Sequence, residues 1–420
     1  MTAPSPRARL TDWVDAHFEE EVAFLADLVR IPTDTPPGDN APHAEAVAAK
    51  MEKLGWEVER HPVPRETVVD YGMTSITNLI VRRRYADGGP TVALNAHGDV
   101  VPPGEGWTRP PYGAQIENGR MYGRATAVSK SDFATFFYAA QALEALGLPL
   151  RGALELHFTY DEEFGGTLGP GWLLAQGLTR PDYLIGAGFS YNVVGAHNAC
   201  LQFEITVHGK ATHGSIPETG HDALQAATAV LNAIYADLPR LKTICSDIAG
   251  IDHPTMIVGR IDGGTNTNVV PGKVVLKMDR RMIPEEDPAQ VEADVRRMIE
   301  TAVEGLPGIR VDIRRLLLAQ ALRPLPGQQR LVDSLRRNAR EVLGEPVTVL
   351  GSALYTDARL YSEYGIPAVL YGAGPRTVLE SNAKQADEHL ELEDLRAATK
   401  VVALTLLDFL TPSSAGPHDR

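Results

Sequence analysis

Three sets of residues could do chemistry. The first is LNAHGDVVPPGEGW, in which His97 and Asp99 close an apolar run. An imidazole two residues before a carboxylate can hold a divalent metal, with the carboxylate orienting the ring. Alone the pair is a weak signal, since a single loop histidine is often structural. The second is FTYDEEFGG, where Asp161, Glu162 and Glu163 stand side by side after another apolar run. Adjacent carboxylates repel one another, so a solvated acidic turn is the plain alternative. The chemical reading makes Glu162 a general base for a water and Glu163 a metal ligand. The third set is scattered: His213 in VHGKATHGSIPETGHDAL, Asn268 in GGTNTNVVPG and Arg281 in MDRRMIP. A His, an Asn and an Arg on one face could bind a carboxylate or stabilise an oxyanion. Arg280 and Arg281 could equally be a solvated strand end.

The elements that carry these residues follow from periodicity. Helical spacing runs over 8–30 and 41–55, and again over 131–146. Apolar strands are expected at 91–97, 153–160 and 182–188; His97 ends the first and Asp161 directly follows the second. Strands apolar on both faces and alternating with helices predict a mostly parallel sheet covered on both sides. In such sheets, active-site groups gather at the carboxyl ends of strands. The middle of the chain reads strand, helix, strand, strand, helix, strand between LQFEITVHG and IRVDIRRLL, the ferredoxin-like order. Helix and strand alternate again through 328–343, AVLYGAG and 392–410. The tail after Leu410, rich in Pro, Ser and Gly, is expected to be disordered.

Composition narrows the class. A chain of 420 residues exceeds one ordinary core, so two domains are expected. A net charge of −14 argues against nucleic acid or an anionic membrane as partner. With only Cys200 and Cys245, a disulfide framework and a thiolate metal site are both disfavoured. Each cysteine reads as a small buried hydrophobe. The opening MTAPSPRARL lacks a signal-peptide apolar run, and no run is long enough to span a membrane. A cytoplasmic protein is expected.

Taken together, the segments resemble one family. HGDVVPPGEGWTRPPYGAQIENGRMYGR, TYDEEFGG, VHGKATHGSIPETGHDAL, NVVPGKV, DRRMIP, TDARLYSEYGIPAVLYGAG and DEHLELEDL are similar, in order, to the acetylornithine deacetylase, succinyl-diaminopimelate desuccinylase, aminoacylase and glutamate carboxypeptidase family. The resemblance implies an α/β catalytic domain with a zinc-peptidase-like sheet, and an inserted ferredoxin-like lid that makes a homodimer. The boundaries expected are 1–199 and 318–420 for the catalytic domain and 200–317 for the lid. It also implies two zinc ions and cleavage of an amide near a carboxylate. His97 would bind one zinc and Glu163 the other, with Glu162 as base and Asp99 behind His97. His213 and Asn268 would reach the substrate from the lid, His213 across the dimer. Arg281 and the loop at Gly372–Gly374 would hold a substrate carboxylate.

Three of the five implied metal ligands are replaced. The bridging aspartate aligns with Val128 in GRATAVSKSD, a carboxylate at the end of DYLIGAGFS with Gly188, and a histidine before the last Asp-Glu pair with Lys384. Asp132, His197 and His389 are the side chains that could substitute. Losing two acids and gaining a lysine changes the site by about +3, near the charge of about +4 that two zinc ions bring. A Lys384–Glu163 ion pair is therefore expected. The sequence predicts an amidohydrolase acting on an N-acyl or peptide-like small-molecule carboxylate, with Glu162, His213 and Lys384 as catalytic groups. It predicts no metal or a single zinc ion rather than two. The alternatives are metal-independent acyl transfer, amide formation or lyase chemistry in the same pocket, or a non-catalytic ligand-binding homologue.

Overall fold

The computed structural model describes residues 4–377 and 379–412; most of the tail read as disordered lies outside them. The chain divides into two compact units. The first comprises Met1–Gly195, Pro324–Val349 and Thr356–Arg420, and the second Ala196–Arg323 and Leu350–Tyr355.

The first unit is built on strands β1 (Glu59–Pro62), β2 (Thr77–Arg84), β3 (Ala86–His97), β6 (Arg151–Thr159), β7 (Tyr183–Gly186) and β16 (Ala368–Leu370), with the opening residues of β8 (Asn192–His197) and β15 (Thr348–Ser352). They form one sheet in the order β1-β2-β6-β3-β7-β16-β8-β15. Its centre, β6-β3-β7-β16, is parallel, while β1, β2 and β8 pair antiparallel. A hairpin of β4 (Gln115–Glu117) and β5 (Arg120–Tyr122) pairs with β17 (His389–Glu391).

Around the sheet lie helices α1 (Pro6–Ala16), α2 (Phe18–Val29), α3 (Ala41–Lys53), α4 (Arg65–Asp70), α5 (Lys130–Ala145), α6 (Pro170–Ala175), α9 (Gln328–Leu343), α10 (Ala358–Glu363) and α11 (Leu392–Leu410). The last six residues of both β3 and β6 are buried, as strands covered on both faces must be. Helix α5 is apolar nearly all round and correspondingly buried, with Phe133 4.3 Å from the Phe158 ring. The expected architecture is found. What the sequence hid was the polar edge: β1 reads ERHP and β2 ends in three arginines, so neither shows a long apolar run.

The second unit runs β9 (Ala199–His208), α7 (Ala223–Leu241), β11 (Thr255–Gly263), β13 (Lys273–Met282), α8 (Pro288–Val303) and β14 (Arg310–Ala319). All pairs in its sheet, ordered β11-β13-β9-β14, are antiparallel, which is the ferredoxin-like arrangement. Alternation fixes the register. Leu201, Phe203, Ile205 and Val207 of β9 join Ala226, Val230 and Ile234 of α7 in the core. Asp222 and Asp287 cap α7 and α8 by accepting first-turn amides. A short ladder of β10 (Thr212–His213) with β12 (Val269–Val270) extends this unit. Cys200 is buried as expected, but Cys245 is exposed.

Candidate active site

Strands β3 and β6 end in register, His97 beside Thr159. The chain beyond each strand then turns into the same space. Asp99 is fully buried and its carboxylate accepts the backbone amides of Asp161 (2.9 Å), Glu162 (3.3 Å) and Glu163 (3.0 Å). The acidic turn is therefore anchored from below rather than solvated. Burial raises Asp99, but the hydrogen bond and charge of His97 and the amides outweigh it and leave its pKa below the ordinary value. Asp99 was expected chiefly behind His97. Its contact to His97 Nδ1 is 3.4 Å, longer than its bonds to the turn.

His97 Nδ1 lies 3.0 Å from the Asp99 carbonyl, and Nε2 lies 3.8 Å from Glu162 Oε2. Burial pulls the imidazolium down, but Glu162, Asp99 and Glu163 prevail and raise its pKa to about 10. Lys384 Nζ meets Glu163 Oε2 at 2.7 Å, so the expected ion pair is present. The Glu163 side chain is only 9% exposed, whereas solvent reaches about half of the Lys384 side chain (49% exposed). Burial lowers the Lys384 ammonium, and the charges of Glu162 and Glu163 more than restore it, leaving the pKa raised.

The positions expected to be replaced leave little room for repair. A Cβ on Gly188 would lie 2.8 Å from Tyr371 N, so no side chain fits there. Asp132 does not swing in as a substitute ligand. Its Oδ1 accepts the Ala373 amide at 2.8 Å and sits where a Gly372 Cβ would be. Burial pushes Asp132 up to about 7. His389 is held in the β17–β5 ladder, with Nδ1 3.0 Å from the Asp387 carbonyl and its ring against Tyr122. His197 belongs to the second unit, where Nδ1 lies 2.9 Å from the Asn198 carbonyl. The Gly372–Gly374 loop spends the Ala373 amide on Asp132 and the Gly374 amide on Gly188 O (2.9 Å).

In the second unit, the structure brings His213 and Asn268 together. Asn268 O accepts the Gly214 amide at 2.7 Å, and His213 pairs with Val269. His213 is exposed, with Nδ1 2.8 Å from Ser215 Oγ. Arg281 lies at the far end of β13. Its Nε donates to Asp279 (2.7 Å), and its guanidinium lies over the Tyr355 ring (5.3 Å). The eight steps from Lys273 to Arg281 span about 26 Å, so the third set of residues occupies two places. Arg280 is no solvated strand end: it is 2% exposed and paired with Glu286 at 2.6 Å.

Two groups near the acidic turn were missed. Asp357, in TDARL, is buried, and burial pushes it well up. The ion pair of Arg124 with Glu388, at 2.5 Å, is also buried. The available signal was charge inside otherwise matching motifs, which spacing alone does not place.

The chain has relatives. The model of peptidase family M20/M25/M40 matches residues 93–408. The chain belongs to peptidase family M20/M25/M40. It is 28% identical to an acetylornithine deacetylase of Myxococcus xanthus, over 92% of this chain and 97% of that one. It is 26% identical to a succinyl-diaminopimelate desuccinylase of Gluconobacter oxydans, over 91% and 95% respectively. The M20 family metallo-carboxypeptidase Sso-CP2 of Sulfolobus solfataricus shares the fold, with a TM-score of 0.77 and 19% identity over 92% of this chain and 98% of that one. The M20 reaction class, and hence that of this chain, is hydrolysis of amide and peptide C–N bonds.

The family is metal-dependent. Among the described residues of this M20 chain, no three His, Cys, Asp or Glu side chains come together so as to hold a metal ion. Valine and glycine offer no donor, and an ammonium on Glu163 opposes a second cation. No described helix is long and apolar enough to cross a membrane.

Proposed function

We propose that this M20 chain hydrolyses the amide of an N-acyl or peptide-like carboxylate in the cytoplasm, with at most one metal ion. The observation that carries this reading is the Glu162 carboxylate, 3.8 Å from His97 on a turn that Asp99 fixes by three amides. A base held this way has a defined position for a water. Glu162 takes a proton from the water as its oxygen attacks the amide carbon, then passes it to the leaving nitrogen. Lys384 supplies positive charge for the developing oxyanion. Arg281 takes the substrate carboxylate with the guanidinium edge that Asp279 leaves. The Gly372–Gly374 loop has little left to contribute beyond Gly372.

The same reading makes the protein a homodimer. Arg281 and the His213–Asn268 pair are too far apart along β13 to grip one small substrate, which suits His213 acting across a two-fold axis. Edge strand β11 exposes Ile257 and Ile261, and α7 exposes Tyr235, as a subunit contact would use. Light scattering at tens of micromolar should give a dimer, and a monomer would sink this part.

Acyl transfer, amide formation, lyase chemistry and pure binding gain no observation of their own. The test is zinc content of the purified protein, with turnover of N-acyl amino acids and dipeptides measured with and without chelator. Less than one zinc ion per chain and chelator-resistant hydrolysis are expected. About two zinc ions, with activity abolished by chelation and restored by zinc, would return the protein to the ordinary metal-dependent deacylases.

A further inference from the structure

The loops that carry Val128 and Lys384 are tied by one buried ion pair. Arg124 and Glu388 are 1% exposed and meet at 2.5 Å. The other Glu388 oxygen accepts the Ala127 amide (3.1 Å), and the oxygen on Arg124 also accepts the amide of Lys384 itself (3.2 Å). The Glu388 carbonyl takes the Gly123 amide at 2.8 Å. Arg124 donates to Pro103 O (2.9 Å) and Gln385 O (3.3 Å), and its guanidinium lies 5.2 Å from the Trp107 ring centre. One pair thus joins three segments, 103–107, 123–127 and 384–388.

Lys384 needs such a tie. Its φ is +61°, the left-handed region that a residue with a Cβ enters at a cost. A loop without its anchor would relax and carry the ammonium away from Glu163. Resting on the reading that Lys384 is the cation of this site, we infer that Arg124 and Glu388 are positioning residues for Lys384. Neither touches a reacting group. They fix the backbone from which the ammonium reaches Glu163. A lock that merely held the fold would leave the engagement of that ammonium unchanged.

Two measurements test this, and neither uses turnover. In the wild-type protein the Lys384 amide, bonded to Glu388, should exchange with deuterium at least about tenfold slower than an unstructured amide. An unprotected amide would overturn the inference even if every variant failed to fold. The second readout is acetylation of the Lys384 amine by an N-hydroxysuccinimide ester, followed by mass spectrometry with exposed Lys53 of α3 as internal reference. Glu163→Gln removes the ammonium's partner directly, and Glu388→Gln removes only the anchor. Both should speed Lys384 acetylation by about threefold or more, and the double variant should gain little beyond either. Arg124→Lys, which keeps the charge on Glu388 but loses the contacts to Pro103 and Gln385, should fall between wild type and Glu388→Gln. Wild-type acetylation in a folded Glu388→Gln protein, or full additivity in the double variant, would overturn it. Zinc content and chelator resistance judge the proposed function, so the two failures remain distinguishable.

Discussion

The two units hold their polar groups in opposite ways. In the first, His97, Asp99, Glu163 and Lys384 satisfy one another, and burial strengthens the contacts of His97 and Asp99, while Lys384 remains half exposed. In the second, His213 and Asn268 sit on a short exposed ladder, and Arg281 is tied through one nitrogen, leaving the rest of its fork. The first cluster is electrostatically closed without a guest. The second set has unused hydrogen-bonding capacity. On the proposed reading, charge that acts on a bond is held rigidly, and charge that recognises a substrate is left unsatisfied until the substrate comes.

The largest test of this contrast is Glu162→Gln. If the first unit does the chemistry, hydrolysis should fall by about 10²–10⁴-fold while the dissociation constant for a non-hydrolysed product stays within about twofold. Near-normal turnover would move the base elsewhere. Next is Arg281→Lys, which keeps the charge and loses the planar fork. KM should rise by about tenfold with kcat little changed; unchanged KM would remove Arg281 from recognition.

Lys384→Ala sharpens the claim of internal compensation. A fully buried pair would cost about 3–5 kcal/mol when broken. Half of the Lys384 side chain is in solvent, so a loss of about 1–2 kcal/mol is expected from denaturant unfolding. No change would mean that Glu163 needs no cation.

The smallest effect comes from Glu21, a buried carboxyl whose hydrogen bond comes from the Thr399 hydroxyl rather than a cation. Burial raises it to about 8, despite Thr399 and the charge of Arg396. The folded state therefore keeps a proton that the unfolded state releases between pH 4.5 and 8, and this group's contribution weakens as pH rises through that window. Glu21→Gln should raise the melting temperature at pH 8 and barely at pH 5. An equal shift at both would show that Glu21 is ionised in the fold, and that burial without a cation costs less than the comparison with Glu163 assumes.

What the sequence determined by itself follows from local rules. Period-2 and period-3.6 patterns gave the parallel centre, α5, α11 and the ferredoxin-like unit, because burial on one or both faces writes itself into apolar spacing. Residue identity and charge arithmetic were enough to pair Lys384 with Glu163. The antiparallel strands β1 and β2 escaped, since edge strand β1 is polar and β2 ends in three arginines, so neither shows a long apolar run. Only the tertiary structure decided that Asp99 anchors the acidic turn, that Asp132 ties Gly372–Ala373, and that Arg281 lies apart from His213 and Asn268. These facts depend on directions and distances between segments far apart in the chain. A carboxylate's partners are set by what the fold brings within about 3 Å, and no spacing along the sequence encodes that.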